Sequence, residues 1–210
     1  MNRFFLAVIV LLIAVSIKAQ ELKVKAKGEQ TFSFEDKGGR NQAAFFSKTM
    51  LEDITGVSNE IKGNVSFDVS SVAKTLKGKV LIPAASIKTG ISLRDEHLLG
   101  EGWIDAKQFP ELSFEITKVN KVVKADGNSL ILNINGNFML KGVSKSVSSD
   151  FTLTYLDQSE KTKMRADGDL LGVRGKFSIK LSDFGINNKV IGNKVADEIE
   201  IDVNIVGSNK

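Results

Sequence analysis

The 210-residue chain contains no cysteine, which excludes disulfide bonds, thiolate metal ligands and a cysteine nucleophile. It contains a single histidine, His97. A structural or catalytic transition-metal site usually needs three or four ligands, several of them His or Cys, so this composition argues against one. Acidic residues are present, but none has the spacing of an EF-hand calcium loop. We therefore expect neither a metal nor a cofactor.

Other functional signatures are also missing. The sequence has no glycine-rich phosphate loop and no G-x-S-x-G nucleophile elbow. The formal net charge is +4, but the lysines are scattered, and no run of five like charges follows residue 20. Aromatic residues are not interleaved with the lysines. Nucleic-acid binding is therefore not expected.

Long hydrophobic runs are absent except at the beginning of the chain. Phe4 to Ile17 is an apolar run of 14 residues that follows Arg3 and precedes a small residue, Ala19. This pattern predicts a cleaved secretory signal peptide over residues 1–19 and a mature domain over residues 20–210. The run is shorter than the roughly 20 residues of a membrane-spanning helix, and no lipid-anchor cysteine follows it. We therefore expect export to the periplasm or beyond it, without permanent membrane insertion.

The remainder of the sequence lacks long helical periodicity and shows alternating apolar and polar residues instead. In "EIEIDVNIV", Ile199, Ile201, Val203 and Ile205 fall on one face. The same alternation recurs in the stretches "NVSFDVS", "LSFEIT", "DFTLTYL" and "KFSIKL". Each of these stretches predicts a strand with one buried face.

Turn signals at Gly127, Gly142 and Gly168 separate the alternating stretches, while Gly136 fits either a turn or a bulge within one strand. About eight to nine strands result, a number that suits a single all-β domain, either a sandwich or a barrel. The alternation alone does not choose between these two. An outer-membrane barrel is disfavoured, because one Trp and one Tyr cannot form two aromatic girdles.

The stretch "SIKTGISLRDEHLLGEGWIDAKQFPELSF", Ser86 to Phe114, interrupts the strand pattern. "SLRD" fits a capping box formed by Ser92 and Asp95, which predicts a short helix over residues 93–99 that ends at Gly100. Leu93 and Leu98 are the candidates for its buried side. An ion pair between Arg94 and Asp95 is expected to hold this segment.

The same stretch is similar to the signature of the YceI-like proteins. The matching positions are Ser86, Ile87, Thr89, Gly90, Arg94, Asp95, His97, Leu98, Trp103, Asp105, Phe109, Pro110 and Phe114. Downstream, "GNFMLKGVSKSV" and "SIKLSDFGI" resemble two further family elements, and "ITGVSNEIKGNVSFD" resembles an upstream strand. Leu99-Gly100 replaces a frequent Arg-Ser, and Leu181 replaces a frequent Arg, which implies a different or shorter ligand.

The resemblance implies an eight-stranded antiparallel lipocalin-like barrel with a short helical segment near its mouth and a long apolar tunnel. It also implies a non-enzymatic periplasmic carrier of a hydrophobic long-chain molecule, such as an isoprenoid, an isoprenoid quinone or a fatty-acid-like lipid. A homodimer is a further expectation from the family.

Candidate ligand-binding residues follow from these expectations. Aromatic and aliphatic side chains on the apolar strand faces are candidates for the tunnel, and polar or aromatic side chains of the helical segment are candidates for the mouth. They are Phe67, Phe114, Ile116, Phe138 and Phe177 in the tunnel, and Arg94, His97 and Trp103 at the mouth. Ordinary core packing is the alternative for each. The alternative functions are a lipid-acting hydrolase or isomerase that uses His97, and a ligand-free structural module with a solid core.

Overall fold

A computed structural model describes residues 22–210, so the predicted signal peptide lies outside the described residues. The described chain is mainly antiparallel sheet with three short α-helices and two short 3₁₀ helices, Ala84–Ser86 and Leu181–Phe184. The strands are β1 (Glu29–Ser33), β2 (Gln42–Lys48), β3 (Asp53–Ser58), β4 (Lys62–Asp68), β5 (Lys77–Pro83), β6 (Glu111–Asp126), β7 (Ser129–Leu140), β8 (Val143–Leu156), β9 (Leu170–Lys180) and β10 (Glu198–Ser208). The helices are α1 (Val72–Thr75), α2 (Ser92–Leu99) and α3 (Glu160–Lys163).

Eight strands close into a barrel, as expected. The hydrogen-bonded order runs β1, β4, β5, β6, β7, β8, β9, β10, and β10 then meets β1 through the pair Ser33 and Ser208. Neighbouring strands along the chain from β4 to β10 pair with each other, so most of the barrel is an up-and-down meander. Closure removes the free sheet edges that an open sandwich would leave.

The β2–β3 hairpin is an addition that the sequence did not predict. β2 pairs with β10 over Glu200 to Asn204, along the same edge of β10 that β1 reaches further on. β3 then bonds to the segment before α2 through Val57 and Lys88. The hairpin therefore extends the barrel wall at one end and brings the β2–β3 turn next to α2.

The predicted inward faces are confirmed. Ile199 and Ile205 are buried, and so are Phe151, Leu153 and Tyr155 of β8. The turn at Gly127 is also confirmed, between β6 and β7. Gly136 lies inside β7, and the irregular pairing opposite it falls on β6.

One end of the barrel, which we call the closed end, is filled by aromatic side chains. Phe32, Phe67 and Tyr155 are fully buried, and the rings of Phe32 and Tyr155 meet edge-to-face with centroids 5.4 Å apart. The Tyr155 hydroxyl donates a hydrogen bond of 2.6 Å to the Asp169 carboxylate. Burial, together with this carboxylate, raises the pKa of Tyr155. These three rings line neither of the two barrel cavities described below.

A polar network ties the β1–β2 connection to the rest of the barrel. Arg165 donates to Asp36 at 2.7 Å and to Asn41 at 2.8 Å. Asn41 is buried, donates to the carbonyls of Phe34 and Val206, and accepts from the Val206 amide. Hydrogen bonds from Arg40 and the nearby positive charge of Arg165 hold the pKa of Asp36 well below its ordinary value.

The segment after β5 forms a helix, as predicted, but its details differ. α2 covers Ser92–Leu99, and Gly100 ends it. The predicted capping box is wrong: Ile91 occupies the N-cap and no side chain caps the helix. In the part of the chain that the structure describes, no helix is long and apolar enough to cross a membrane.

Candidate functional site

Two adjacent cavities lie toward the end of the barrel opposite the closed end. The inner cavity has a volume of about 80 Å³ and lies between the strands. The outer cavity has a volume of about 810 Å³ and opens beside α2. Leu112, Phe138 and Ile201 line both cavities, so these residues mark the junction.

The inner cavity is lined almost entirely by apolar side chains from the barrel strands, with Ser113 as its one polar side chain. Four of the predicted tunnel residues contribute to this lining: Phe114, Ile116, Phe138 and Phe177. The ring of Phe177 lies 5.6 Å from that of Phe114 and 5.4 Å from that of Phe138, measured between centroids. The structure thus brings these four residues together around one apolar space.

Glycines at inward positions make room for the rings of the inner cavity. Gly136 faces the barrel interior, and a Cβ there would overlap the ring of Phe114. Gly175 has the same relation to the ring of Phe151. Each ring therefore lies over the backbone of the neighbouring strand, in the space that a side chain at the glycine would take. An inward glycine in a strand pattern is a sequence signal for such an arrangement, since a ring can take the space of the missing side chain.

The outer cavity is built from three segments that meet at the barrel opening: the β2–β3 hairpin, the segment from Ile87 through α2 to Ile104, and the connection between β9 and β10. The apolar side chains that these segments and the adjacent strands contribute are Phe45, Ile54, Ile87, Ile91, Leu93, Leu98, Trp103, Ile104, Leu140, Ile179, Leu181, Ile186, Val190, Val195 and Ile199. Leu181 is buried and contributes an apolar side chain to the wall of this cavity.

Polar groups at the outer cavity are few. Arg94, His97 and Lys194 supply nitrogen groups, and Glu52 and Glu96 supply carboxylates. Ser47, Thr89 and Asn188 complete the polar side chains of the lining. Two of the predicted mouth residues, Arg94 and His97, therefore lie together at the opening. Trp103, the third, is half-buried in the same lining.

The predicted pair of Arg94 and Asp95 is wrong. Arg94 instead approaches Glu52 of the β2–β3 turn, with 3.5 Å between the charged atoms. Asp95 accepts hydrogen bonds from the backbone amide and the hydroxyl of Thr89, at 2.7 and 2.6 Å. These bonds lower the pKa of Asp95. The reason is local geometry: Gly90 adopts a positive φ of 81°, and the donors of Thr89 lie at the start of the helix.

Leu93 also departs from expectation. Its side chain is 60% exposed, although it was expected on the buried side of α2. Leu98 is half-buried and packs against the core as expected. The helix therefore keeps one apolar side chain at the surface beside the opening of the outer cavity.

Phe67 lies apart from the other candidates. Its ring is stacked on Phe32 at 5.8 Å and meets Tyr155 at 6.5 Å, within the closed end. It lines neither the inner nor the outer cavity. The alternating pattern correctly predicts that Phe67 faces inward. Such a pattern does not show where along the barrel axis a residue lies.

Residues 22–210 form no catalytic relay around His97. The side chain is exposed, and no hydrogen bond joins its ring to another side chain of residues 22–210. Within the same residues, no group of three or more His, Asp or Glu side chains is close enough to hold a metal ion. What the site offers chemically is an apolar space with a few charged groups at its opening.

Several lining residues were not among the sequence candidates. At the inner cavity these include Leu112, Phe151 and Ile201, all on strands whose apolar faces the alternation identified. At the outer cavity they include Lys194 and the other residues of the β9–β10 connection. That connection carries no alternating pattern, so no sequence signal pointed to it.

Comparison with known proteins agrees with this geometry. The profile of the YceI-like domain matches residues 22–207. The chain belongs to the YceI-like family. A Yersinia pestis protein named UPF0312 protein is 32% identical over 152 residues, which cover 72% of each chain. A Shewanella oneidensis protein of the same name is 28% identical over 157 residues, 75% of each chain.

Solved structures share the YceI-like fold. Burkholderia cenocepacia BcnA superposes with a TM-score of 0.62 at 23% identity, covering 80% of this chain and 96% of that one. The polyisoprenoid binding domain from Saccharophagus degradans gives a TM-score of 0.61 at 12% identity, covering 87% of this chain and 99% of that one. At these identities the likeness establishes the barrel fold.

Proposed function

We propose that this YceI-like chain binds one hydrophobic long-chain molecule, an isoprenoid, an isoprenoid quinone or a fatty-acid-like lipid, and carries it in the periplasm. The observation that carries the proposal is an apolar space that opens at one end of the barrel while the other end is solid. The ligand's tail would enter the inner cavity past Phe138, and its remaining length would occupy the outer cavity.

The size and chemistry of the two cavities support this assignment. The outer cavity, at about 810 Å³, lies within the range of about 300–1,000 Å³ that small-molecule pockets occupy. Burial of a hydrocarbon tail is worth about 0.8 kcal/mol for each CH₂ group removed from water. A long tail therefore supplies enough driving force without many polar contacts. Arg94, His97 and Lys194 are placed to contact the polar end of the ligand.

Two related facts add support. The Saccharophagus degradans domain of the same fold is described as polyisoprenoid binding. The signal peptide predicted over residues 1–19 supports export, and the periplasm is the compartment that we propose. A homodimer stays a prediction, to be checked by light scattering of the purified mature chain.

The test is mass spectrometry of organic extracts from mature protein purified natively and without detergent. We expect a long-chain species at close to one molecule per chain. The matched variants are Ile201→Trp, which fills the junction of the two cavities, and Val123→Trp, which adds the same ring at an exposed position of β6. Ile201→Trp should lose the bound species, and Val123→Trp should retain it.

The alternatives give different results. An extract without any lipid, from protein exported in a native-like host, would contradict the carrier and favour the ligand-free module. Equal lipid content in both variants would place the ligand outside the cavities. A chemically altered product released by the wild type but not by His97→Ala would favour the lipid-acting hydrolase or isomerase.

A further inference from the structure

Large apolar side chains are concentrated at the surface around the opening of the outer cavity. Four of them, Met50, Leu51, Ile91 and Leu93, form what we call the mouth rim. Their exposed fractions are 103%, 68%, 50% and 60%. In residues 22–210 only Val123, Leu156 and Met164 are further large hydrophobic side chains with comparable exposure. A clustered apolar surface usually marks a contact site, whereas isolated apolar residues do not.

The β2–β3 turn holds its part of the mouth rim in place. The Thr49 hydroxyl donates to the Glu52 carbonyl at 2.9 Å and accepts from the amides of Leu51 and Glu52. The Glu52 carboxylate meets Arg94 of α2 at 3.5 Å. Met50 and Leu51 are thus displayed by an ordered turn that is joined to the helix. Their exposure is a property of that turn.

The mouth rim is continuous with the ligand space. Ile91 and Leu93 line the outer cavity and are also exposed at the surface. An apolar path therefore runs from the junction at Phe138 to the outside of the molecule. A ligand that leaves along this path stays in contact with apolar side chains until it reaches the surface.

The charges around the mouth rim suit the interface of a bilayer. Lys48, Lys88 and Lys194 have no carboxylate within ion-pair distance in the described chain, and long lysine side chains can reach lipid phosphates. Glu52 is paired with Arg94. The carboxylates of Asp53, Asp95 and Glu96 balance the three lysines, so the net charge around the mouth rim is close to zero. Apolar insertion should therefore contribute more to binding than charge does.

We infer that the mouth rim docks onto the surface of a lipid bilayer, with Met50, Leu51 and Leu93 inserted among the lipids. The bilayer is favoured over a protein partner because its interior has the same chemistry as the cavity that opens onto it. The inference deepens the proposed function, since docking would let a lipid tail pass between the bilayer and the cavity without crossing water.

Vesicle flotation with the mature protein tests the inference. Phosphatidylcholine vesicles with and without phosphatidylglycerol are used as the probe. The variant Met50→Ser/Leu51→Ser/Leu93→Ser removes three rim side chains, and the control Val123→Ser/Met164→Ser removes two exposed apolar side chains elsewhere. Because each buried apolar side chain is worth about 1.5 kcal/mol or more, the rim variant should bind at least about tenfold more weakly. The control should bind like the wild type, and phosphatidylglycerol should change binding little, because the net charge around the rim is close to zero.

The single tryptophan supplies a second readout. Trp103 lies in the outer cavity, so brominated lipids should quench its fluorescence when the mouth faces the bilayer. Quenching that disappears when the vesicles are removed reports docking, and quenching that persists reports a lipid taken into the cavity. Persistent quenching in a protein that never floats with vesicles would overturn docking and leave the proposed function intact.

Three other outcomes are equally decisive. Docking with fully reversible quenching would support the mouth-rim inference and contradict lipid uptake. Equal flotation of the rim variant and the wild type would overturn the inference. The inference would also be overturned if the wild type bound no vesicles and instead retained a stable protein partner in pull-down experiments, while the rim variant did not.

Discussion

The two ends of this barrel follow the same alternating sequence pattern and yet differ in what fills them. At the closed end, Phe32, Phe67 and Tyr155 pack ring against ring, and the Tyr155 hydroxyl is satisfied by Asp169. At the open end, Phe114 and Phe138 border an apolar space that leads to the surface. This contrast shows that alternation determines which residues face inward. Side-chain packing in three dimensions determines whether the interior is solid.

The largest effect should come from truncating a ring at the closed end. Phe67→Ala should lower the free energy of unfolding by about 3–5 kcal/mol, because a cavity forms where the rings are tightly packed. Phe138→Ala should cost about 2 kcal/mol less, since its ring already borders a cavity and loses fewer contacts. Urea unfolding of both variants measures the difference. Equal losses would contradict the contrast between a solid and an open end.

The variants Phe67→Ala and Phe138→Ala should also differ in the lipid that they bind. Phe67→Ala should retain bound lipid at temperatures where it is folded, because Phe67 lines neither cavity. Phe138→Ala should alter the length or the amount of bound lipid, since Phe138 stands at the junction. Loss of ligand from the folded Phe67 variant, with none from the Phe138 variant, would reverse our assignment of the two ends.

The next effect concerns the polar network at Asp36. Asp36→Asn should destabilise the protein by about 1.5–3 kcal/mol near neutral pH, because a charged hydrogen bond to Arg165 and Arg40 is weakened. The folded-state pKa of Asp36 lies below its ordinary value of 3.8, so the carboxylate stabilises the fold above that value. This stabilisation is lost as the pH falls from there toward the folded-state pKa.

Unfolding measured at roughly pH 7 and roughly pH 2 tests the direction of this pH dependence. The difference between wild type and Asp36→Asn should shrink at the lower pH. Replacement of the exposed Glu29, which pairs with Lys77, provides a control that should change stability little at either pH. A difference for Asp36→Asn that grows as the pH falls would contradict the role of the ionised carboxylate.

The smallest effect is expected at the mouth. Glu52→Gln removes the ion pair with Arg94. The Glu52 side chain is 42% exposed and that of Arg94 is 28% exposed. Pairs of this kind contribute about 0.2–1 kcal/mol and are screened by salt. Thermal unfolding at low and high salt should show a small loss that salt removes. A loss as large as that of Asp36→Asn would mean that this pair holds the open end together.

Much of the fold was predictable because its determinants are local. The residues Ile199, Ile201, Val203 and Ile205 alternate with polar neighbours, and such a pattern predicts a strand with one inward face. The helix was predicted over residues 93–99 from a capping box and a terminal glycine. The capping box is wrong, but α2 forms and Gly100 ends it. The choice of barrel over sandwich came from family resemblance, since the alternation is the same in both.

The candidate site was predictable only in part because its determinants are distant in sequence. Arg94 pairs with Glu52 rather than Asp95, and this depends on the β2–β3 hairpin, which the sequence pattern did not reveal. The contribution of Lys194 depends on how the β9–β10 connection folds over the opening. The depth of Phe67 in the barrel depends on strand register, and no single-strand pattern contains that information.

The most direct test of the central claim is an experimental structure of the mature protein purified natively with its extracted lipid retained. The account predicts elongated ligand density that begins in the inner cavity beside Phe138 and runs through the outer cavity toward Trp103. The closed end around Phe67 and Tyr155 should contain none. Ligand density in the closed end, or cavities that hold only ordered water in protein proven to carry lipid, would contradict the account.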